Sequence, residues 1–359
     1  MKNILIAVSG TGGHVYPGIA LAYELKKFGY NPVFVVNSNK NGVSLNIVKN
    51  SGYDYKILDF KAPPRKMSLQ MLCFPFKFIK VLFEAKSIIK QTKPCVAIGM
   101  GAYLSFPMLL VAKLKSIPTL IHEQNSIPGL SNKFISSFSN CICVSLPNSL
   151  NLFPKEKVVY TGNPRSEEIL GAKPLSREES GFDKDKKLVI VVMGSLGSVT
   201  MTEKIKELIP SFNNKDYQVL IITGKNYYDE YKEIPTSDNV KVVPFMDNLI
   251  NLMKDADLMV SRAGASTIAE ITAIGLPAIL VPSPYVTNNH QYKNAKELED
   301  HGACVIVTEE DFSSKTIIQE VERLLDDEKR YKEMSEHSRE LGIDDSATRI
   351  YQEIKKLVG

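Results

Sequence analysis

No stretch of the 359-residue sequence reaches the roughly 20 uninterrupted apolar residues that a spanning helix needs, which restricts any bilayer association to the periphery. The cysteines, at 73, 95, 141, 143 and 304, include no CxxC pair. Their odd number suits free thiols in a reducing compartment such as the cytosol better than a disulfide framework. Excess charge is also missing. A formal net charge of +4, with lysines scattered rather than gathered into a stripe, argues against nucleic acid as a partner. There is no low-complexity tract, and 44% hydrophobic with 23% charged residues is the composition of a folded chain. The apolar run within Met1–Val8 is too short for a signal peptide and meets a glycine turn where a cleavage region would lie, so it reads as a first strand.

What is present is an alternation. Short β-branched runs at Ile4–Val8, Val33–Val36, Cys95–Ile98, Thr119–Ile121 and Cys141–Val144 alternate with helical spacing such as Ile19, Ala22 and Leu25. The rhythm restarts at Leu188–Met193 and continues through Val219–Ile222, Val240–Val243, Leu258–Val260, Ala278–Val281 and Val305–Val307. Alternating strands and helices predict α/β architecture with doubly wound parallel sheets, and this length predicts two such domains. Leu170–Lys187, polar, with Pro174 and no apolar periodicity, reads as a linker or surface excursion. The expected domains are therefore 1–162 and 163–341, followed by a closing helix within 342–359. Ile350, Ile354 and Val358 share one face of that helix, which suits packing back onto either lobe.

Gly10-Thr11-Gly12-Gly13 follows a strand and opens a helix, so its amides suit an anionic diphosphate or a developing oxyanion, or form a plain tight turn. A dinucleotide motif needs a third glycine where Val15 stands, and strand two ends in Asn37-Ser38 with no carboxylate for a ribose. NAD and FAD are therefore excluded, and no cofactor is expected. His14, directly after the glycines, is placed either to take a proton from an acceptor hydroxyl or to cap the helix. His122-Glu123-Gln124-Asn125 gathers polar groups at another strand end. There Glu123 is either an alternative base or an orienting partner for His14, and Asn125 suits a sugar hydroxyl.

In the second half, Met193–Ser198 repeats the strand, glycine loop and helix plan, which makes Ser195 a phosphate candidate. Gly264, Ala265, Ser266 and Thr267 begin a helix whose free amides suit a diphosphate. Glu270, about a turn on, could grip a ribose diol or be merely buried. His290 and Gln291, after a Pro-Ser-Pro turn, suit neutral sugar hydroxyls. Two glycine loops of this kind imply lobes facing a cleft. Asp183 with Asp185, and Asp255 with Asp257, aim no carboxylate pair at a phosphate, so no metal is expected. Ser68–Phe83 carries more apolar bulk than a surface helix, interrupted by Lys77 and Lys80 and preceded by Arg65 and Lys66. It reads equally as a core helix or as an element lying on an anionic membrane surface.

Taken in order, GTGGH (10–14), GMGAY (99–103), HEQN (122–125), TGNPR (161–165), SRAGAST with its AE (261–270) and VPSPYVTNNHQ (281–291) resemble the MurG family across the whole chain. This is the family of bacterial UDP-N-acetylglucosamine–undecaprenyl-diphospho-muramoylpentapeptide N-acetylglucosaminyltransferases. The resemblance implies a GT-B fold of two Rossmann-like lobes and inverting transfer of GlcNAc from UDP-GlcNAc to the 4-hydroxyl of undecaprenyl-diphospho-MurNAc-pentapeptide. It implies a peripheral place on the cytoplasmic side of the cell membrane.

It also implies that Thr11, Gly12, Gly13 and Asn125 border sugar and acceptor, that Arg165 and Ser195 meet the phosphates, and that the Met246 backbone meets uracil. Glu270 would then take the ribose, and His290 or Gln291 the sugar. The chain departs from the commoner family pattern where GNP runs straight into Arg165, in GSLGS, and at His290. Two rival readings keep the fold: a UDP-N-acetylglucosamine 2-epimerase, for which Ser68–Phe83 has no use, and a non-catalytic nucleotide-sensing module.

Overall fold

The β-branched runs form two separate parallel sheets in the computed structural model, which describes residues 1–38, 43–60, 74–194 and 198–359. The chain divides into two units, Met1–Glu167 with Asp345–Gly359, and Glu168–Asp344.

The first unit holds β1 (Lys2–Ala7), β2 (Tyr30–Val36), β3 (Asp54–Ile57), β4 (Val96–Gly99), β5 (Thr119–Glu123), β6 (Cys141–Val144) and β7 (Val158–Tyr160). Their order is β3-β2-β1-β4-β5-β6-β7, every pair parallel. Order reverses between β1 and β4, and ligands of such sheets bind beyond the carboxyl ends at that reversal. Side chains alternate across the sheet. Ile4, Ile6, Ile98 and Leu120 pack in one core with Leu21 and Leu25 of the helix Gly12–Lys27, while Leu5, Ala7, Ala97 and Ile121 pack in another with Ala85 and Leu109. β3 and β7 are absent from the strands the sequence predicts. They are the outer strands of the sheet, only half-buried or exposed: β3, Asp-Tyr-Lys-Ile, lacks an apolar run, and β7, Val-Val-Tyr, is only three residues long.

The second unit repeats the plan with β8 (Leu188–Val192), β9 (Gln218–Ile222), β10 (Val240–Val243), β11 (Leu258–Ser261), β12 (Ala278–Leu280) and β13 (Val305–Ile306), in the order β10-β9-β8-β11-β12-β13. Its reversal lies between β8 and β11.

Of the two readings of Leu170–Lys187, linker or surface excursion, the structure supports the second, with the segment fixed to the second unit. Arg177 donates to Asp255 at 3.2 Å and to Asp257 at 2.9 Å, while Lys254 Nζ reaches the carbonyls of Leu170 (2.9 Å) and Ala172 (2.8 Å). Asp255 and Asp257, one of the two pairs weighed as metal ligands, thus serve an arginine.

The division after Glu167 falls five residues beyond the expected position at 162, because the start of the helix Arg165–Gly171 is bonded to the chain's last helix, Ser346–Val358. Glu167 accepts the amide protons of Ala347 (2.8 Å) and Thr348 (3.1 Å) and the Thr348 hydroxyl (3.0 Å). A carboxylate there satisfies amides that have no helical partner. Ser166 and Ser346 hydroxyls meet at 2.8 Å. Ile350 and Ile354 are fully buried in the core beside Ile4 and Ile6, each worth about 1.5–3 kcal/mol of burial, and Tyr351 stacks on Phe28 at 3.8 Å.

Candidate active site

The reversal point of the first sheet is built from three strand ends. Beyond β1, Gly10 turns the chain at φ +88°, and Gly12 opens the 16-residue helix Gly12–Lys27. The Gly12 and Gly13 amides precede the first turn bond, His14 N–H to Thr11 O at 3.2 Å. Thr11 and Gly13 are exposed, and Gly12 and His14 are half-buried. Beyond β4, Gly101 holds φ +91° and passes beneath the His14 imidazole. Beyond β5 comes Gln124, 1% exposed, whose Oε1 lies 3.0 Å from His14 Nδ1. Gln124 Nε2 donates to Met100 O at 3.1 Å and lies 3.0 Å from His122 Nδ1, and His122 Nε2 lies 3.0 Å from Gly162 O. His122 is fully buried, and that desolvation lowers its pKa from 6.5 to about 4 against the raising effect of Gly162 O.

Glu123 stands on the opposite face of β5, so the orienting partner of His14 is Gln124 rather than the glutamate considered from sequence. The Glu123 carboxylate accepts from Asn125 N (3.1 Å) and Nδ2 (3.2 Å), Gly129 N (3.0 Å) and Asn132 Nδ2 (2.9 Å), which shapes the loop that carries Asn125. Arg165 also belongs to the first unit, not to the second as the expected boundary had it. It is buried, with its guanidinium 5.4 Å from the ring of Tyr16 on the helix Gly12–Lys27.

In the second unit the candidates follow the carboxyl ends of β10, at one edge of the sheet, and of the neighbouring β11 and β12. Gly264 precedes the ten-residue helix Ala265–Ile274, and the amides of Ala265, Ser266 and Thr267 come before its first bond, Ile268 N–H to Gly264 O at 2.9 Å. This is the geometry of an anion site. Glu270 is buried on the same helix. Met246 follows β10, half-buried. Beyond β12, Asn288 (φ 57°) and Asn289 (φ 52°) take the left-handed conformation that asparagine tolerates and start the helix His290–Glu299. There His290 Nδ1 lies 2.9 Å from Thr287 O, and Gln291 Oε1 accepts Ser283 N–H at 2.9 Å. Ser195 lies outside the described residues.

Sequence reasoning missed Arg262, the buried cation inside the SRAGAST segment. It binds Glu309 at 2.7 Å, Val281 O at 3.0 Å and Ser198 Oγ at 2.9 Å, tying three loop ends together. An arginine next to a strand end, in a sheet buried on both faces, was the available signal.

Two doubly wound parallel units, each with a helix N-terminus at its reversal point and no dinucleotide fingerprint, are the GT-B fold of nucleotide-sugar enzymes. Residues 4–144 match the glycosyltransferase family 28 N-terminal domain and residues 188–350 its C-terminal domain. The UDP-N-acetylglucosamine--N-acetylmuramyl-(pentapeptide) pyrophosphoryl-undecaprenol N-acetylglucosamine transferase of Bacillus cytotoxicus is 38% identical, over 99% of both chains. The crystal structure of Acinetobacter baumannii MurG superposes with a TM-score of 0.78 at 28% identity, covering 99% of this chain and 100% of that one. A UDP-GlcNAc 2-epimerase from Neisseria meningitidis, at 16% identity and TM-score 0.68 over 99% of this chain and 100% of that one, shares the fold alone. The chain belongs to glycosyltransferase family 28 and, within it, to the MurG N-acetylglucosaminyltransferases.

Proposed function

We propose that the chain moves GlcNAc, with inversion, from UDP-GlcNAc to the 4-hydroxyl of undecaprenyl-diphospho-MurNAc-pentapeptide, with His14 as the base. The observation that supports this division of labour is the pairing of an imidazole with a glycine turn at the first unit's reversal point, while the second unit carries a helix N-terminus with free first-turn amides and the buried Glu270. His14 takes the acceptor proton as the hydroxyl attacks the anomeric carbon and the bond to UDP breaks. Thr11, the amides of Gly12 and Gly13, and Asn125 border sugar and acceptor on the first unit. Amides at Gly264–Thr267, with Ser195 and Arg165, offset the negative charge that grows on the departing diphosphate. Glu270 accepts from the ribose hydroxyls, the Met246 backbone reads uracil, and His290 or Gln291 reads the sugar.

The protein acts peripherally on the cytoplasmic side of the cell membrane. No described helix is long and apolar enough to cross a bilayer. The helix Phe74–Thr92 buries Val81, Ala85 and Ile88, and it exposes Phe76 (77%), Ile79 (50%) and Phe83 (66%) beside exposed Lys77, Lys80 and Lys86. Apolar side chains ringed by lysines suit an anionic lipid surface. The Ser68–Cys73 part of the membrane candidate lies outside the described residues.

Transfer of radiolabel from UDP-GlcNAc to the polyprenyl-linked acceptor tests the reaction, and isomerisation of UDP-GlcNAc without acceptor would replace it with the epimerase reading. Replacing His14 with Ala tests the base: turnover should fall by about 100-fold or more, and near-normal turnover would remove it from the mechanism.

A further inference from the structure

We infer that Gln124 is a positioning residue which, relaying the tautomer of buried His122, holds His14 as the Nδ1–H form and leaves its Nε2 lone pair bare to take a proton. The inference rests on the base assigned to His14 above. It deepens that assignment, because an imidazole beside an acceptor hydroxyl is a base through only one of its two nitrogens.

A backbone carbonyl only accepts. Gly162 O lies 3.0 Å from His122 Nε2, so in neutral His122 that nitrogen carries the hydrogen and Nδ1 is the bare acceptor. The lowered pKa of this fully buried ring, about 4, keeps it neutral under ordinary conditions. Ser145 Oγ, 3.4 Å from the same nitrogen, alters nothing, since its own hydrogen points to Gly162 O at 3.5 Å.

Gln124 is then fixed twice over. One end of its amide lies 3.0 Å from the bare His122 Nδ1, 3.1 Å from Met100 O and 3.3 Å from His122 O, three acceptors that admit only the NH2 group. A flipped amide would set its oxygen against all three. With Nε2 so placed, Gln124 Oε1 is the atom 3.0 Å from His14 Nδ1, and an amide oxygen can only accept. His14 Nδ1 must therefore donate, which places the only hydrogen of the neutral ring there. Nε2, with no hydrogen-bond partner among the described residues, keeps its lone pair. Free histidine prefers the other tautomer, so the relay changes which nitrogen can act.

The test is a long-range 15N–1H correlation spectrum of the full-length protein with 15N-labelled histidine at about pH 8, where an ordinary imidazole is neutral. The His14 and His122 signals are assigned by their loss in single variants. The expected result is opposite tautomers, Nδ1–H for His14 and Nε2–H for His122. His14 found as Nε2–H overturns the inference without any need for a mutant to fold.

In Gln124→Leu, folded by circular dichroism, His14 should move toward Nε2–H. Its kcat should fall by about 10–100-fold, part of the roughly 10²–10⁴-fold that a positioned base contributes, with KM for UDP-GlcNAc unchanged. An unaltered tautomer, or an unaltered kcat alongside a changed tautomer, also overturns it. Failure of the base assignment is separable: His14→Ala with normal turnover removes the base whatever the spectrum shows.

Discussion

A Cβ on Gly101 would lie 2.9 Å from His14 Nδ1, and Gly101 itself holds φ +91°, where side chains other than hydrogen are strained. Alanine there must displace either the backbone beyond β4 or the imidazole. Gly101→Ala should lower kcat by at least about tenfold, since displacements near 1 Å can cost more than that, and lower the unfolding temperature by several degrees. Gly171→Ala, which meets nothing within 4 Å, is the control. Equal behaviour of the two variants would contradict the close approach.

Neutral, buried His122 gives stability a pH dependence of definite sign. The unfolded chain binds a proton near pH 6.5 and the folded chain only near 4, so the contribution is full above 6.5 and is lost as pH falls between those values. At about pH 5 the loss is about 2 kcal/mol. Urea unfolding of wild type and His122→Gln between about pH 7 and 5 measures it: the variant should show the shallower decline, and parallel declines would refute the prediction.

Glu167 holds the first turn of the helix Ser346–Val358 through two amides and one hydroxyl. Glu167→Ala should cost about 1–2 kcal/mol, as loss of an N-terminal cap and of a favourable dipole contact does. Amide hydrogen exchange in residues 346–358 should rise more than in β1. Uniform protection across both would show that the carboxylate does not anchor the helix.

Phe76 and Phe83 stand exposed on the helix Phe74–Thr92. The double change to Ser should weaken sedimentation with vesicles rich in anionic lipid by at least about tenfold, since each buried phenyl is worth about 1.5–3 kcal/mol. Turnover of a detergent-dispersed acceptor should stay the same. Undiminished vesicle binding would move the lipid contact elsewhere on the protein.

The sequence made the alternation of elements and the glycine turns legible because both depend on local pattern. Strands buried on both faces, such as β1 and β8, announce themselves by continuous apolar runs. β3, reading Asp-Tyr-Lys-Ile with exposed ends, does not. At the site, Glu123 and Asn125 carry the chemistry that marks a candidate in the sequence, while Gln124 between them bonds His14. The alternation of a strand was the usable signal: His122 and Gln124 share the face on which Leu120 meets the helix Gly12–Lys27, and Glu123 shares the face of Ile121. Arg177 escaped notice because its partners lie 78 and 80 residues away.

The first unit is assembled from both extremities of the chain, with Ile350 and Ile354 closing the core around Ile4 and Ile6. A ribosome delivers those pieces in the order of synthesis, so residues 1–167 emerge with that apolar surface uncovered until the 177 residues of the second unit have followed. The domain that begins first is completed last. A nascent chain released just short of Asp345 would therefore carry a finished second unit beside an unfinished first, a natural substrate for chaperones and proteases.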